Sequence, residues 1–469
     1  MIILGTNSIK ASGFDVDNSC RFNEADSAYL EKTNSGSSAT DIDKYTLSFW
    51  VKRGNLTEYG SLGYGGQIMG STSSAYFQLY FKPDDTLRWQ EHDGSASVGN
   101  LITNRRFRDV SAWYHIVCLY DSGNATSGNR MQIWINGVRE TSFGTEAQPT
   151  QDANGQFGTA SQTRRIANNN DGSRDFDGYI AEAVGLDGVC DSPVGTLGEF
   201  DEDSPTIWKP KNVSGLTFGT HGFYLDFKDS ANLGNDANGG TDFGETNLAA
   251  TDQATDSPTN NFATLNPLFP EANIAYSEGN TRVTADGSAN WSSVIPTVGL
   301  ANGKWYWEWK ATSSSNAFTG IASEVLINSG VLISDTTPYD ATGLILYFTT
   351  GRKTVDGTDA EGYFTAWSTG TMSAALDLDS GTRTIQMYHN GSATGSAVSL
   401  TANFAAGDLV FPVFMVNAGS NPSIQNPNFG NPNTANSSDA ADANGYGAFE
   451  YAPPSGFFSI CTKNLAEYG

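Results

Sequence analysis

The sequence predicts an all-β protein built from two β-sandwiches joined by an irregular connector. Three observations lead there. Convincing long amphipathic helices are absent, and short runs of alternating apolar residues are separated by Gly, Asn, Asp and Pro clusters, the pattern of sandwiches and barrels. Two runs, Met131-Gln132-Ile133-Trp134-Ile135-Asn136-Gly137-Val138 and Ile385-Gln386-Met387-Tyr388-His389-Asn390-Gly391-Ser392, each drive a strand pattern into Asn-Gly. Asn-Gly suits the type I′ turn, whose two central residues both need positive φ. Each hairpin lies near the end of a long β-rich segment, so the chain holds two related units.

In chain order, Tyr45-Thr46-Leu47-Ser48-Phe49-Trp50-Val51 alternates cleanly, with Tyr45, Leu47, Phe49 and Val51 on one face. Trp113–Tyr120 is nearly all apolar, as a central strand covered on both faces would be. Tyr179–Leu186 reads as a closing strand. These elements fill a first region, 1–192. From 193 to 272 the texture turns polar and turn-rich, with one or two short strands such as Gly222–Phe227. Phe243, Leu248, Phe262 and Leu265 supply anchors, so this connector is expected to lie over the surface rather than hang free. The second region, 273–469, alternates in Lys304–Lys310, placing Trp305, Trp307 and Trp309 on one face. Leu344–Phe348 and Val410–Val416 are buried-strand patterns, and Pro412 marks an edge or bulge position. The Asn-, Ala- and Asp-rich stretch 426–447 reads as a surface excursion before a last strand around Phe449.

The 469 residues carry 26 Lys and Arg against 51 Asp and Glu, a net charge of −25. Nothing resembles a basic stripe that could replace phosphate counterions, so nucleic acid is not an expected partner. At 38% apolar and 12% aromatic the chain can build packed cores, so general disorder is excluded. No window approaches the length of a membrane span, so no membrane insertion is expected, and Met1-Ile2-Ile3-Leu4-Gly5 lacks the basic start of a signal peptide. Cys20, Cys118, Cys190 and Cys461 are far apart and are read as free thiols.

The first region resembles the laminin-G-like, concanavalin A-like domains of tailed-phage virion proteins. The matching pieces are Arg21-Phe22-Asn23, Ala28-Tyr29-Leu30, Leu47–Arg53, Trp113–Val117, the hairpin Ile133–Val138 and Gly178-Tyr179-Ile180-Ala181-Glu182. The second resembles a SPRY-type sandwich, through Gly303–Glu308, Gly320-Ile321-Ala322, Leu376–Asp379 leading into Ile385–Gly391, Asn428-Phe429-Gly430 and Tyr451–Phe457. About twenty residues separate Asn428-Phe429-Gly430 from Phe449, where related sequences run almost directly on. Residues 256–267 resemble the junction between two such domains in phage structural proteins. The resemblance implies two jelly-roll, concanavalin A-like sandwiches in a non-enzymatic virion protein: a fibre, knob or decoration subunit. Its expected partners are other virion proteins, a host-surface glycan and further copies of itself. A stand-alone carbohydrate-binding protein and a polysaccharide-cleaving enzyme are the alternatives.

For chemistry, retaining glucanases of the concanavalin A-like fold align two glutamates and an aspartate on one strand. The nearest match, Glu199-Phe200-Asp201-Glu202-Asp203-Ser204, has Ser204 where an acid is needed. His92, His115, His221 and His389 show no metal-ligand spacing. No Gly-x-Ser-x-Gly elbow supports a hydrolase. The cofactor expectation is therefore none, with calcium the one ion the resemblance admits. Its oxygen-rich candidate is Asn168–Gly172 with Asp171, Asp175 and Asp177, against the plainer reading of a solvated loop. Trp50, Trp89 and Trp367 are candidates for stacking on sugar rings, against the plainer reading of core or interface.

Overall fold

The computed structural model describes residues 13–56, 66–169, 174–269, 274–285, 291–311, 317–334, 338–367, 369–417 and 424–469. The chain divides into two compact units, Ala11–Thr259 and Asn260–Gly469. Both are β-sandwiches, and the only α-helices among the described residues are short: Glu324–Ser329, Val331–Ser334 and Thr462–Tyr468.

In the first unit, one eight-stranded sheet runs in the order Val138–Arg139, Met131–Ile135, Trp113–Asp121, Lys44–Arg53, Gly178–Asp187, Ser19–Phe22 and Gln253–Ala254, with Phe223–Leu225 also paired to Gly178–Asp187. The second, also eight-stranded, runs Phe143–Ala147, Ser97–Arg106, Thr86–Asp93, Ala75–Phe81, Gln67–Ser71, Thr163–Ile166, Tyr29–Thr33 and Gly244–Thr246. Tyr45, Leu47, Phe49 and Val51 of the first sheet meet Phe77, Leu79, Trp89 and Leu101 of the second, so the alternation read from the sequence becomes the inter-sheet core. Glu91 is sealed in this core, where it accepts hydrogen bonds from the Tyr45 hydroxyl and, at 2.8 Å, from Gln156 N. Burial pushes its carboxyl up to about 8.

The strands Trp113–Asp121 and Gly178–Asp187 are apolar on their outer side as well, and that side must also be covered. Residues 193–259 supply the cover. Leu197, Val213 and Phe218 pack on Val117, Leu119, Val184 and Leu186, and Trp208 packs with Trp50, Trp113 and Tyr179. His115 lies at the centre of this layer. Its ring stacks on Trp50 at 4.6 Å, its Nδ1 accepts the Trp208 indole N–H at 2.9 Å, and its Nε2 meets Ser48 Oγ at 2.8 Å. The ring proton therefore resides on Nε2, and burial lowers the pKa to about 3. Farther along, the fully buried Lys52 and Asp256 pair at 2.6 Å, Trp113 Nε1 donates to the other Asp256 oxygen at 2.9 Å, and Ser19 Oγ donates to the Asp256 carbonyl at 2.7 Å.

The second unit pairs an eight-stranded sheet with a six-stranded one. The larger runs Ile274–Ser277, Arg282–Ala285, Ile424–Asn428, Lys304–Ala311, Thr371–Asp377, Thr384–His389 and Ser392–Ser399, with Phe458–Ser459 parallel to Lys304–Ala311. The smaller runs Trp291–Val294, Val410–Asn417, Ala317–Ser323, Leu344–Phe348, Lys353–Val355 and Thr358–Ala360. Trp305, Trp307 and Trp309 face Ile321, Ile345 and Phe414 in the core. Pro412 pairs with Ile321 on one side, while Trp291–Val294 on the other side pairs only from Phe414 onward. Pro412 is thus locally at an edge, where its missing N–H costs nothing.

Two expectations are corrected. The span 193–272 is not a separate connector: the chain divides at Thr259/Asn260, and the part before it belongs to the first sandwich through short strands paired to Gly178–Asp187, Tyr29–Thr33 and Ser19–Phe22. The stretch after Asn428 runs over the surface but is pinned there, and Phe449 makes only an isolated bridge with Ala440 instead of the expected last strand. Phe449 packs edge-on against Tyr306 at 5.1 Å, and the buried Glu308 carboxylate accepts Glu450 N at 2.7 Å and Tyr451 N at 2.9 Å. Asp442 accepts five bonds, from Asn444 N, Tyr446 N, Ser459 N, Ser459 Oγ and Asn464 Nδ2. Asp442→Ala takes the acceptor from Asn444 N, Tyr446 N and Ser459 N, while Asn464 Nδ2 and Ser459 Oγ keep other partners, at a cost of about 3 kcal/mol. Limited proteolysis is expected to cut the variant within 431–448 while the wild type resists. Equal cleavage of both would contradict this anchoring role.

Candidate functional site

None of the three tryptophan candidates offers a ring face. Trp89 is 0% exposed and lies edge-on to Tyr45 and Tyr120 in the core. Trp50 is 4% exposed beneath the 193–259 cover. Trp367 is 8% exposed in the second core, with its ring 5.6 Å from that of His389. Large aromatic surface drives them inward, so the plainer reading holds for all three.

The calcium candidates are only partly described, since Asp171 lies outside the described residues. Asp175 Oδ2 accepts Ser27 Oγ at 2.8 Å, and its Oδ1 accepts Asn168 Nδ2. Asp177 is buried, with Oδ1 accepting Asn55 N at 3.1 Å. Asn168 Oδ1 faces the Arg165 guanidinium at 3.1 Å. These oxygens are turned to N–H and O–H donors and to a cation. Among the described residues no group of three or more His, Cys, Asp or Glu is arranged to hold a metal.

The acidic run at Glu199 is equally engaged. Gly198–Phe200 pairs with Trp208–Pro210, and Lys209 bridges Glu199 at 3.6 Å and Asp201 at 3.3 Å while Lys211 reaches Glu199 at 3.4 Å. Burial pushes the Asp201 carboxyl up, but bonds from Ser204 N and Lys209 outweigh it and leave the group below its ordinary value. A general acid needs the opposite shift.

A surface that no tryptophan marks does have the makings of a site: the outer face of the second sheet. Cross-strand pairing aligns Glu31, Arg165, Gly70, Gln78, Gln90 and Asn100 in one row across six strands. On one side of it Tyr76 stands opposite His92, their rings stacked at 4.8 Å and 4°. On the other, Gln67 and Arg88 both stand opposite Tyr80. Arg88 Nε donates to Asn100 Oδ1 at 3.0 Å and its Nη1 to the Tyr80 hydroxyl at 2.9 Å. Arg174 covers the Tyr80 ring at 4.6 Å and donates to Gln78 Oε1 at 2.6 Å. Gly70 leaves mid-row space that the Gln67 amide fills, where a Cβ would otherwise stand. Tyr80 is only 2% exposed beneath Arg174, so the half-buried Tyr76–His92 pair is the aromatic part of this face, and with the amide and guanidinium groups it can hydrogen-bond hydroxyls and pack on apolar ring faces. The signal was present in the sequence, as the outward alternates Tyr76, Gln78, Tyr80 and Arg88, Gln90, His92 of two adjacent strand patterns.

Residues 24–187 match the family model described as the concanavalin A-like lectin/glucanases superfamily, Laminin_G_3. This places the first sandwich in that fold class. No curated protein matches the chain. Among solved structures, the stonustoxin structure is 18% identical, with a TM-score of 0.27, covering 35% of this chain and 27% of its own. The TRIM65 PSpry domain is 16% identical at TM-score 0.28, covering 35% and 88%. The heptameric SAP-like pentraxin of Limulus polyphemus is 14% identical at TM-score 0.27, covering 37% and 77%. The chain thus spans little more than a quarter of the stonustoxin chain it matches.

Proposed function

We propose that this chain is a non-enzymatic structural protein of a tailed-phage particle, a fibre, knob or decoration subunit that works as a homo-oligomer. In this reading it contacts other virion proteins and meets a host-surface glycan through its first sandwich. The observation that carries glycan binding is the polar and aromatic row on the outer face of the second sheet, Gln78, Gln90 and Asn100 beside Tyr76 and His92. The virion context rests on the sequence resemblance of both regions and of the 256–267 junction. A stand-alone carbohydrate-binding protein would use the same face.

Catalysis is the weaker reading. Glycoside hydrolysis uses a carboxyl pair roughly 5 to 9 Å apart. Within the rows described, Glu31 is the one carboxylate, and it is paired with Arg165 at 2.6 Å. Two measurements test the proposal. A glycan array of the full chain is expected to show binding that EDTA leaves unchanged, with no reducing ends released from the bound glycan. A particle reconstruction is expected to locate its density on the virion surface. A blank array or release of reducing ends would overturn the binding reading, and absence from the particle the virion one.

A further inference from the structure

We propose that the outer face of the second sheet is selective for an acidic saccharide, whose carboxylate it takes on Arg88. This rests on the glycan-binding reading above and adds the chemical class of the ligand. The chain has 51 acidic residues to 26 basic ones, yet Arg88, like Arg130, Arg139 and Arg383, bonds only to neutral oxygens among the described residues. Its two hydrogen bonds go to neutral oxygens, Asn100 Oδ1 at 3.0 Å and the Tyr80 hydroxyl at 2.9 Å. No carboxylate among the described residues pairs with it. A guanidinium has five N–H donors in a planar fork, so Arg88 is oriented by two and keeps the rest. That is the geometry that recognises a carboxylate in two-point fashion.

The surroundings fit an acid carried on a sugar chain. Gln90, only 8% exposed, stands between Gln78 and Asn100, and no hydrogen bond to its side chain is seen among the described residues. Gln67 is fully buried beside Gly70, and its Oε1 has no partner. Such groups suit the dense hydroxyls of a saccharide, and the Tyr76–His92 pair lies along the same strands, four residues from Arg88 or about 13 Å. The face is therefore long enough for several sugar units. The net charge of −25 does not forbid an anionic ligand, because at physiological salt charges are screened beyond about 8 Å, and close to Arg88 the local cation decides.

The test is isothermal titration of the full chain with oligogalacturonic and oligosialic acids, with the same chains after carboxyl reduction, and with a sulfated neutral oligosaccharide. At least one carboxylated chain is expected to bind, its carboxyl-reduced form to bind at least about tenfold more weakly, and added salt to weaken binding. Arg88→Gln is expected to lose about tenfold in affinity with an unchanged melting temperature. Ile102→Glu, opposite Arg88 in the neighbouring strand, places a carboxylate beside it and should produce the same loss if Arg88→Gln misfolds. Equal binding of the reduced chains would overturn acid selectivity while leaving glycan binding intact. Preference for the sulfated chain would overturn the carboxylate assignment. Full affinity in both folded variants would remove Arg88 from the site, and no binding of any chain, together with a blank array, would remove the glycan reading itself.

Discussion

Asp256→Ala is expected to destabilise the first unit by about 3–5 kcal/mol, a large fraction of a domain's whole stability. Lys52 and Asp256 are both sealed from solvent and meet at 2.6 Å. Removing the carboxylate takes the 2.6 Å ion-pair partner from a buried ammonium and the acceptor from the Trp113 indole N–H. Desolvation of a charge that has lost its counter-ion, rather than the worth of the pair, sets the cost. The double variant Lys52→Met/Asp256→Leu removes both charges and should recover most of the loss. Urea denaturation of the three proteins checks this, and a single variant within about 1 kcal/mol of wild type would show that water reaches Lys52.

The second large effect is a loss of stability in acid through His115. Its folded pKa is about 3, against about 6.5 in an unfolded chain. The folded state excludes the proton, so the stabilisation is complete above pH 6.5 and is lost as pH falls from there toward 3. Three and a half units correspond to roughly 4–5 kcal/mol over the full window, and to about 2–3 kcal/mol by pH 4.5. Protonation at Nδ1 would set a ring N–H against the Trp208 N–H it now accepts. Glu91 acts with the opposite sign: its carboxyl is raised to about 8, so its contribution is present in acid and fades as pH rises through 8. Comparing wild type with His115→Gln therefore isolates the histidine. The variant should show a flatter fall between pH 7 and 4.5, and parallel profiles would refute the assignment.

Much of the fold was legible because it obeys simple periods. Tyr45–Val51 and Trp305–Trp309 alternate because one face of each is core. Both Asn-Gly pairs turn as expected, with φ of +49° and +74° at Asn136-Gly137 and +48° and +74° at Asn390-Gly391. That 193–259 lies over the surface on anchors such as Phe243, with a strand at Phe223–Leu225, was legible, but its membership of the first sandwich was not. Its strands are only two or three residues long, too short to show a period, and it is held by single anchors such as Trp208 and Asp256. The site was missed for a different reason. Aromatic size pointed to tryptophan, but size is what buries tryptophan here, and the face is made of mid-sized polar side chains whose alignment depends on strand register.

The two hairpin glycines carry a last consequence. A Cβ on Gly137 would strike the Trp208 ring at 2.3 Å, and one on Gly391 the Tyr451 ring at 2.6 Å. Each turn is thus the seat for an aromatic from a segment much later in the chain. A seat must exist before anything can rest on it, and closing about sixty or seventy residues of intervening chain is slower than closing a two-residue turn. In the order of folding events, the hairpins are therefore expected early and the segments bearing Trp208 and Tyr451 late. Unfolding should run the other way, with the covers lifting while the sheets beneath still stand.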